Sequence, residues 1–141
     1  MALAEHPSIG LVLTCDFEPG FREPEIVKRR PVVVISPKMR GRPDLCTVVA
    51  LSTTAPLRPL PCHAQINIHP PLPERWTSQA VWVKGDMVYT VGLHRLDFIR
   101  LGKDQNGKRR YYLHSLSNEN LTLVRQCVLH GIGLRSLTNH M

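Results

Sequence analysis

Apolar residues along this chain fall into short blocks separated by turn-forming residues, and only the last quarter shows a helical stripe. Leu11-Val12-Leu13-Thr14-Cys15-Asp16-Phe17 is closed by Glu18-Pro19-Gly20, the pattern of a short buried strand. Pro31 to Ser36, with Val32, Val33, Val34 and Ile35 in succession, is β-branched and stops at Pro37; Cys46 to Thr54 repeats it after a polar loop containing Gly41 and Pro43. Six prolines from Pro56 to Pro73 make that stretch irregular. One short extended piece around Ala64 to Ile68 fits there, at a sheet edge, because proline cannot donate to a ladder.

Order returns with two further strands, Gln79 to Lys84 and Met87 to Val91, with Lys84-Gly85-Asp86 as the turn between them. A basic hairpin spanning Leu96 to Tyr112 is predicted around Asn106-Gly107, a strong two-residue turn signal. Over residues 118–130 the period changes: Leu121, Val124, Cys127 and Val128 fall on one helical face, Ser117 or Asn118 can cap its start, and Gly131 is expected to end it. Many short strands and one terminal helix predict a mainly β fold. We expect a small closed or nearly closed barrel with the helix over one side or mouth, rather than βαβ units.

At 141 residues and 43% hydrophobic composition, the expectation is one domain, residues 1–141, with one core. Eighteen Lys and Arg against eleven Asp and Glu give a net charge of +7, which suits a polyanionic partner. Glu5 and His6, with no Lys or Arg ahead of the apolar run Ile9 to Leu13, do not make a signal peptide, and no stretch is long enough to cross a bilayer. Cys15, Cys46, Cys62 and Cys127 form no CxxC pair, so a reducing cytoplasm is expected, with Cys15, Cys46 and Cys127 acting as small buried hydrophobes.

GxxxxGK[ST], GxGxxG, HExxH and GxSxG motifs are all absent. The nearest thing to a ligand cluster, Cys62-His63 with His69, lacks a second cysteine pair, so neither metal nor cofactor is expected. What remains is polar chemistry at predicted strand ends: Glu25 with Lys28-Arg29-Arg30, Ser52-Thr53-Thr54, and Lys84-Gly85-Asp86. Taken singly, each has an ordinary structural explanation as a solvated strand start, a strand end or a turn.

Together they carry a resemblance. Gly10-Leu-Val-Leu-Thr-Cys-Asp16-Phe17, Arg30-Pro31-Val-Val-Val-Ile-Ser36-Pro37, Val48 to Thr54 and Trp82-Val-Lys-Gly-Asp86-Met87, followed by the terminal helix, resemble the MazF/PemK family of toxins across nearly the whole chain. The resemblance implies an SH3-like barrel, a homodimer with single-stranded RNA along the subunit interface, and a small MazE/PemI-like antitoxin as partner. It further implies a bacterial cytoplasmic toxin that inhibits translation and growth and meets operator DNA only through the antitoxin complex, with no membrane partner. A non-catalytic barrel that binds a protein target or DNA, as in the similar CcdB toxins, is the alternative.

The family cuts RNA without a metal: the 2′-hydroxyl attacks its neighbouring phosphate, leaving 2′,3′-cyclic phosphate and 5′-hydroxyl ends. Such chemistry needs a base, a proton donor for the leaving oxygen and fixed positive charge at the phosphorane. By resemblance Arg30 supplies the charge, and Ser52 or Thr53 the family's hydroxyl, depending on register. Period-2 alternation puts those two side chains on opposite faces, so only one can point into the site. Asp86 or Glu25 is the base, and Lys84 stands where the PemK branch carries an arginine. A lysine holds phosphate as a point charge without the bidentate fork. Lys28, Arg29, Lys84, Arg109 and Arg110 are the expected RNA contacts, and Tyr111 or Tyr112 is a candidate for stacking on a base.

Overall fold

The computed structural model describes residues 3–73, 76 and 80–141. Six strands form one antiparallel sheet: β1 (Val12–Cys15), β2 (Arg30–Val34), β3 (Leu45–Ser52), β4 (His63–Asn67), β5 (Ala80–Gly92) and β6 (Leu96–Asp97), in the spatial order β4-β5-β3-β2-β1-β6. A separate hairpin, β7 (Ile99–Lys103) with β8 (Arg109–Tyr112), precedes the helix α1 (Asn118–Gly131). No β4–β6 ladder closes the sheet among the described residues. The result is a small, barrel-like, mainly β fold with a C-terminal helix.

Both faces of the central strands are buried, which explains their unbroken apolar runs. Val12, Val33, Val49, Leu51, Val81 and Val83 face one core, shared with Val124 and Cys127 of α1 and with Ile99 and Tyr112 of the hairpin. Leu13, Cys15, Val32, Val34, Val48 and Val91 face a second core, capped by Phe17. Phe17, Phe21 and Tyr89 pack edge-to-face with ring centroids 5.1 to 5.5 Å apart. Arg95 clamps the same loop, lying over the Phe21 ring and donating to the carbonyls of Asp16 and Pro19. The loop that carries Glu25, Lys28 and Arg29 is therefore held against the sheet.

Three sequence expectations change. Lys84-Gly85-Asp86 is not a turn between two strands: β5 runs for 13 residues, and these residues lie at a bulge within it. Gln79, where the sequence pattern begins this strand, lies outside the described residues. Leu96 and Asp97 do not belong to the hairpin; they pair with Cys15 and Thr14 as the sheet's edge strand β6. The helix does end at Gly131, as expected, but without the left-handed cap conformation predicted there. That conformation is adopted by Gly133 (φ 80°), while Gly131 lets the helix end pack against β5.

Other expectations match. Ser117 caps α1, its hydroxyl accepting from the Asn120 amide at 3.1 Å. The hairpin turns where expected, with Asp104 accepting from the Asn106 and Lys108 amides. The proline-rich stretch contributes one edge strand, β4. All four cysteines are buried and free, and burial pushes the Cys15 thiol up to about 12 and that of Cys127 to about 11.

Candidate active site

Residues directly opposite on paired strands point to the same face of a sheet, so the register shows which side chains can meet. Arg30 lies opposite Cys15, and Val32 lies opposite Ala50. Continued by two residues, this register sets Arg30 level with Ser52. Ser52 lies opposite Trp82, which lies opposite Gln65; one row along, Ala50 lies opposite Lys84 and Lys84 opposite His63. Arg30, Ser52, Trp82, Lys84 and His63 thus share a face. With strands ~4.8 Å apart and same-face neighbours under ~7 Å apart along a strand, Arg30, Ser52 and Lys84 start within roughly 12 Å of one another. Three such side chains can converge on one phosphodiester.

The bulge completes the group. β5 pairs with β3 through Val88 opposite Val49 and then Lys84 opposite Ala50, so Gly85, Asp86 and Met87 have no opposite residues. A Cβ at Gly85 would lie 2.3 Å from the backbone of Cys127, and one at Gly131 would lie 2.6 Å from the Gly85 carbonyl oxygen. Glycine at both positions lets α1 seat directly on the bulge. On the other side the Gly85 amide donates to the Cys62 carbonyl at 2.8 Å. Asp86, exposed, reaches Nε2 of the largely buried His63 at 3.5 Å.

Glu25 joins from the loop. Burial pushes the Tyr89 phenol up, and the negative charges of Glu25 and Asp86 push it further the same way. Glu25 also has a local structural task, accepting from the Arg22 amide at 3.0 Å. The Ser52 hydroxyl, mostly buried, closes a turn by accepting from the Thr54 amide and donating to the Thr54 carbonyl. Thr53 is exposed and follows the end of β3, outside the paired register that places Ser52 level with Arg30.

The remaining cations are spread more widely. Lys28 is exposed. Arg29 reaches Asp16 at 3.4 Å and the Thr14 hydroxyl at 3.4 Å, and with Trp76, Phe98 and Arg100 it lines an open cleft of about 420 Å³. Arg109 and Arg110 sit on the hairpin, which packs through Ile99 and Tyr112 into the helix-side core, so the fold does not bring them beside Arg30. Tyr112 is unavailable for stacking on a base: it is buried, and its hydroxyl donates to the Pro70 carbonyl at 2.5 Å. Tyr111 is half-buried against Phe98.

Cys62, His63 and Asp86 also place a thiol, an imidazole nitrogen and a carboxylate oxygen within 4.8 Å of one another, the spacing of a three-ligand metal site. The Leu60 amide, however, donates to His63 Nδ1 at 3.1 Å. A ligating histidine uses one nitrogen for the ion and normally donates from the other, and here that second nitrogen accepts. The donor set does not fit an ion without breaking this bond.

Comparison with known proteins gives the family and the fold. Residues 9–130 match the model of a family described as PemK-like, MazF-like toxins of type II toxin–antitoxin systems. The chain belongs to this family. It is 30% identical over 158 residues to the YifN protein of Escherichia coli (strain K12), covering 99% of this chain and 100% of that one. Its fold is similar to that of an endoribonuclease solved in complex with its cognate antitoxin from a mycobacterial species (TM-score 0.59, 21% identity, 92% of this chain and 97% of that one). It is also similar to MazF from Deinococcus radiodurans (TM-score 0.57, 21% identity, 90% and 96%).

Of the residues this PemK/MazF chain gathers on the face and bulge, the sequence singled out Arg30, Ser52, Lys84 and Asp86 as candidates but not His63, Trp82 or Tyr89. His63 was visible only as a would-be metal ligand with His69. Its position depends on a β4–β5 register that no local pattern encodes.

Proposed function

We propose that this PemK/MazF-family protein is the toxin of a type II toxin–antitoxin system and acts as a metal-independent endoribonuclease on single-stranded RNA. The observation that carries the reading is the shared face of Arg30, Ser52 and Lys84 beside the bulge that presents Asp86. Asp86 takes the 2′-hydroxyl proton as the 2′-oxygen bonds to phosphorus. The P–O5′ bond breaks, leaving a 2′,3′-cyclic phosphate, and the departing 5′-oxygen takes a proton from Lys84. Arg30 holds the equatorial oxygens with its planar fork, positioned where negative charge grows. Ser52 rather than Thr53 supplies the hydroxyl that orients the phosphate, because it shares the face of Arg30. Glu25 stands as a second acid across Tyr89.

RNA passes from this face around the start of β2 to the cleft that Arg29 and Arg100 line on the other side, with Lys28 and the hairpin residues Arg109 and Arg110 adding sequence-independent phosphate contacts. The protein works as a homodimer in the bacterial cytoplasm and is neutralised by a MazE/PemI-like antitoxin, meeting operator DNA only as that complex. No helix among the described residues is long and apolar enough to cross a membrane. The test is incubation of pure protein with mixed single-stranded RNA in excess EDTA, with both new ends mapped. Cyclic phosphate and 5′-hydroxyl ends are expected. Intact RNA, or cleavage that requires added zinc or magnesium, refutes the reading.

A further inference from the structure

We propose that His63 is a positioning residue for the Asp86 carboxylate. This inference rests on the ribonuclease reading and on Asp86 as its base. The Leu60 amide is a donor only, and it points at His63 Nδ1 from 3.1 Å. That nitrogen must therefore accept, so the proton of the neutral ring sits on Nε2. Nε2 faces Asp86 Oδ1 at 3.5 Å, the outer limit of a hydrogen bond, and catalytic contacts of this kind tighten when substrate binds. In the proposed arrangement the imidazole donates to Oδ1, the neighbouring Cys62 thiol also touches the carboxylate, and the exposed side of Asp86 is left to meet the 2′-hydroxyl.

Two backbone bonds keep this pair in place. Leu60 holds the ring from behind, and the Gly85 amide, next to Asp86, donates to the carbonyl of Cys62, next to His63, at 2.8 Å. The side chain of His63 is 9% exposed against 42% for Asp86, so the imidazole is the fixed partner and the carboxylate the accessible one. Other polar groups facing the pair are Lys84, directly across from His63 on β5, the Cys62 thiol, and, around Asp86, Tyr89 with Glu25 behind it. From α1, Cys127 comes up beneath the bulge. Among these, the His63 ring lies within ion-pair distance of the carboxylate and the Cys62 thiol hydrogen-bonds to it.

The test is single-turnover cleavage of a short single-stranded RNA by the full chain, reading the maximal rate and the half-saturating protein concentration separately. His63→Ala is expected to lower the maximal rate by about tenfold or more, as misplacement of a catalytic group does, with half-saturation unchanged. In an Asp86→Asn background the same substitution should change the rate less than about twofold, because residues acting as a unit are not additive. His63→Gln, whose amide can still donate, should recover part of the loss, and it carries the test should His63→Ala fail to fold by circular dichroism. A wild-type rate in His63→Ala, a loss confined to half-saturation, or full additivity with Asp86→Asn overturns the positioning role. If Asp86→Asn itself cleaves normally, the assignment of the base falls and takes this inference with it. If the wild-type chain leaves RNA intact, the ribonuclease reading fails as well.

Discussion

Gly85→Ala isolates the contact on which the candidate site is built. The added methyl carbon would sit 2.3 Å from both the carbonyl carbon and oxygen of Cys127 and 2.7 Å from its Cβ. Comfortable carbon contacts lie at ~3.5–4.0 Å, so the helix must retreat by roughly 1 Å or the bulge must deform. Backbone cannot swing aside as a side chain can, and retreat would loosen the packing of Val124 and Cys127, both buried in the helix-side core. Overpacking of a tight core costs ~1–3 kcal/mol, and this instance belongs at the upper end. For a chain of this size, ~3 kcal/mol lowers the melting temperature by roughly 10 °C, read by scanning calorimetry. Gly41→Ala is the control: its φ is 83° with nothing within 4 Å, so it samples backbone strain alone, about 1 kcal/mol. Gly131→Ala presses on the same contact from the helix side, and once the helix has lifted the second methyl meets less resistance. The double variant should therefore lose less than the sum of the two single losses. A Gly85→Ala melting temperature within about 2 °C of wild type, or equal to that of Gly41→Ala, would refute the close-packing account.

Three more outcomes follow from the geometry. Arg30→Ala should cut single-turnover cleavage about a hundredfold or more while RNA affinity falls only modestly and its salt slope drops by about one; near wild-type cleavage at saturating enzyme would remove Arg30 from the site. Ser52→Ala should slow cleavage by at least about tenfold and Thr53→Ala by less than about threefold, since only Ser52 shares the face of Arg30; the reverse order would assign the hydroxyl to Thr53. The third concerns alkaline pH. The Cys15 and Cys127 thiols are raised from 9.0 to about 12 and about 11 by burial, so the unfolded chain ionises first and stability is lost as pH rises from 9 through those values. Native protein at pH 9 should react slowly with a thiol reagent and urea-unfolded protein rapidly at four cysteines; fast labelling of Cys15 in the native state contradicts the burial.

The sequence made the apolar strands, the capped helix and the Asp104–Lys108 turn legible because each depends on near neighbours: β-branched runs, a serine one residue ahead of α1, an Asn-Gly turn. The residues of the candidate site were recognisable by kind, since Arg30 precedes a distinctive Pro-Val-Val-Val block. Their assembly was not. Whether Ser52 or Thr53 faces Arg30 depends on the β2–β3 register, and the partnership of His63 with Asp86 depends on β4 pairing with β5 across the proline-rich stretch. The assignment of Leu96 to the hairpin failed for the same reason: two residues are too few to show a period, and pairing with β1 decided their place.

The bulge explains why local pattern was least informative at the candidate site. In a regular strand, residues an odd number apart point to opposite faces, so Lys84 and Tyr89 would diverge. Here Lys84 lies opposite Ala50 and Tyr89 opposite Val48, two residues of β3 that share a face, while Val88 turns to the helix-side core. Inserting Gly85, Asp86 and Met87 without opposite residues reverses the alternation of β5 partway along its length. Lys84 ahead of the bulge and Tyr89 behind it are thereby brought to one side, with Asp86 between them. The apparent turn signal in Lys-Gly-Asp had a real cause: glycine at 85 was required, but by the Cys127 backbone pressing on it rather than by a change of chain direction. The same contact ties the helix to the bulge between Lys84 and Tyr89, so a disturbance at α1 should reach Asp86 through Gly85.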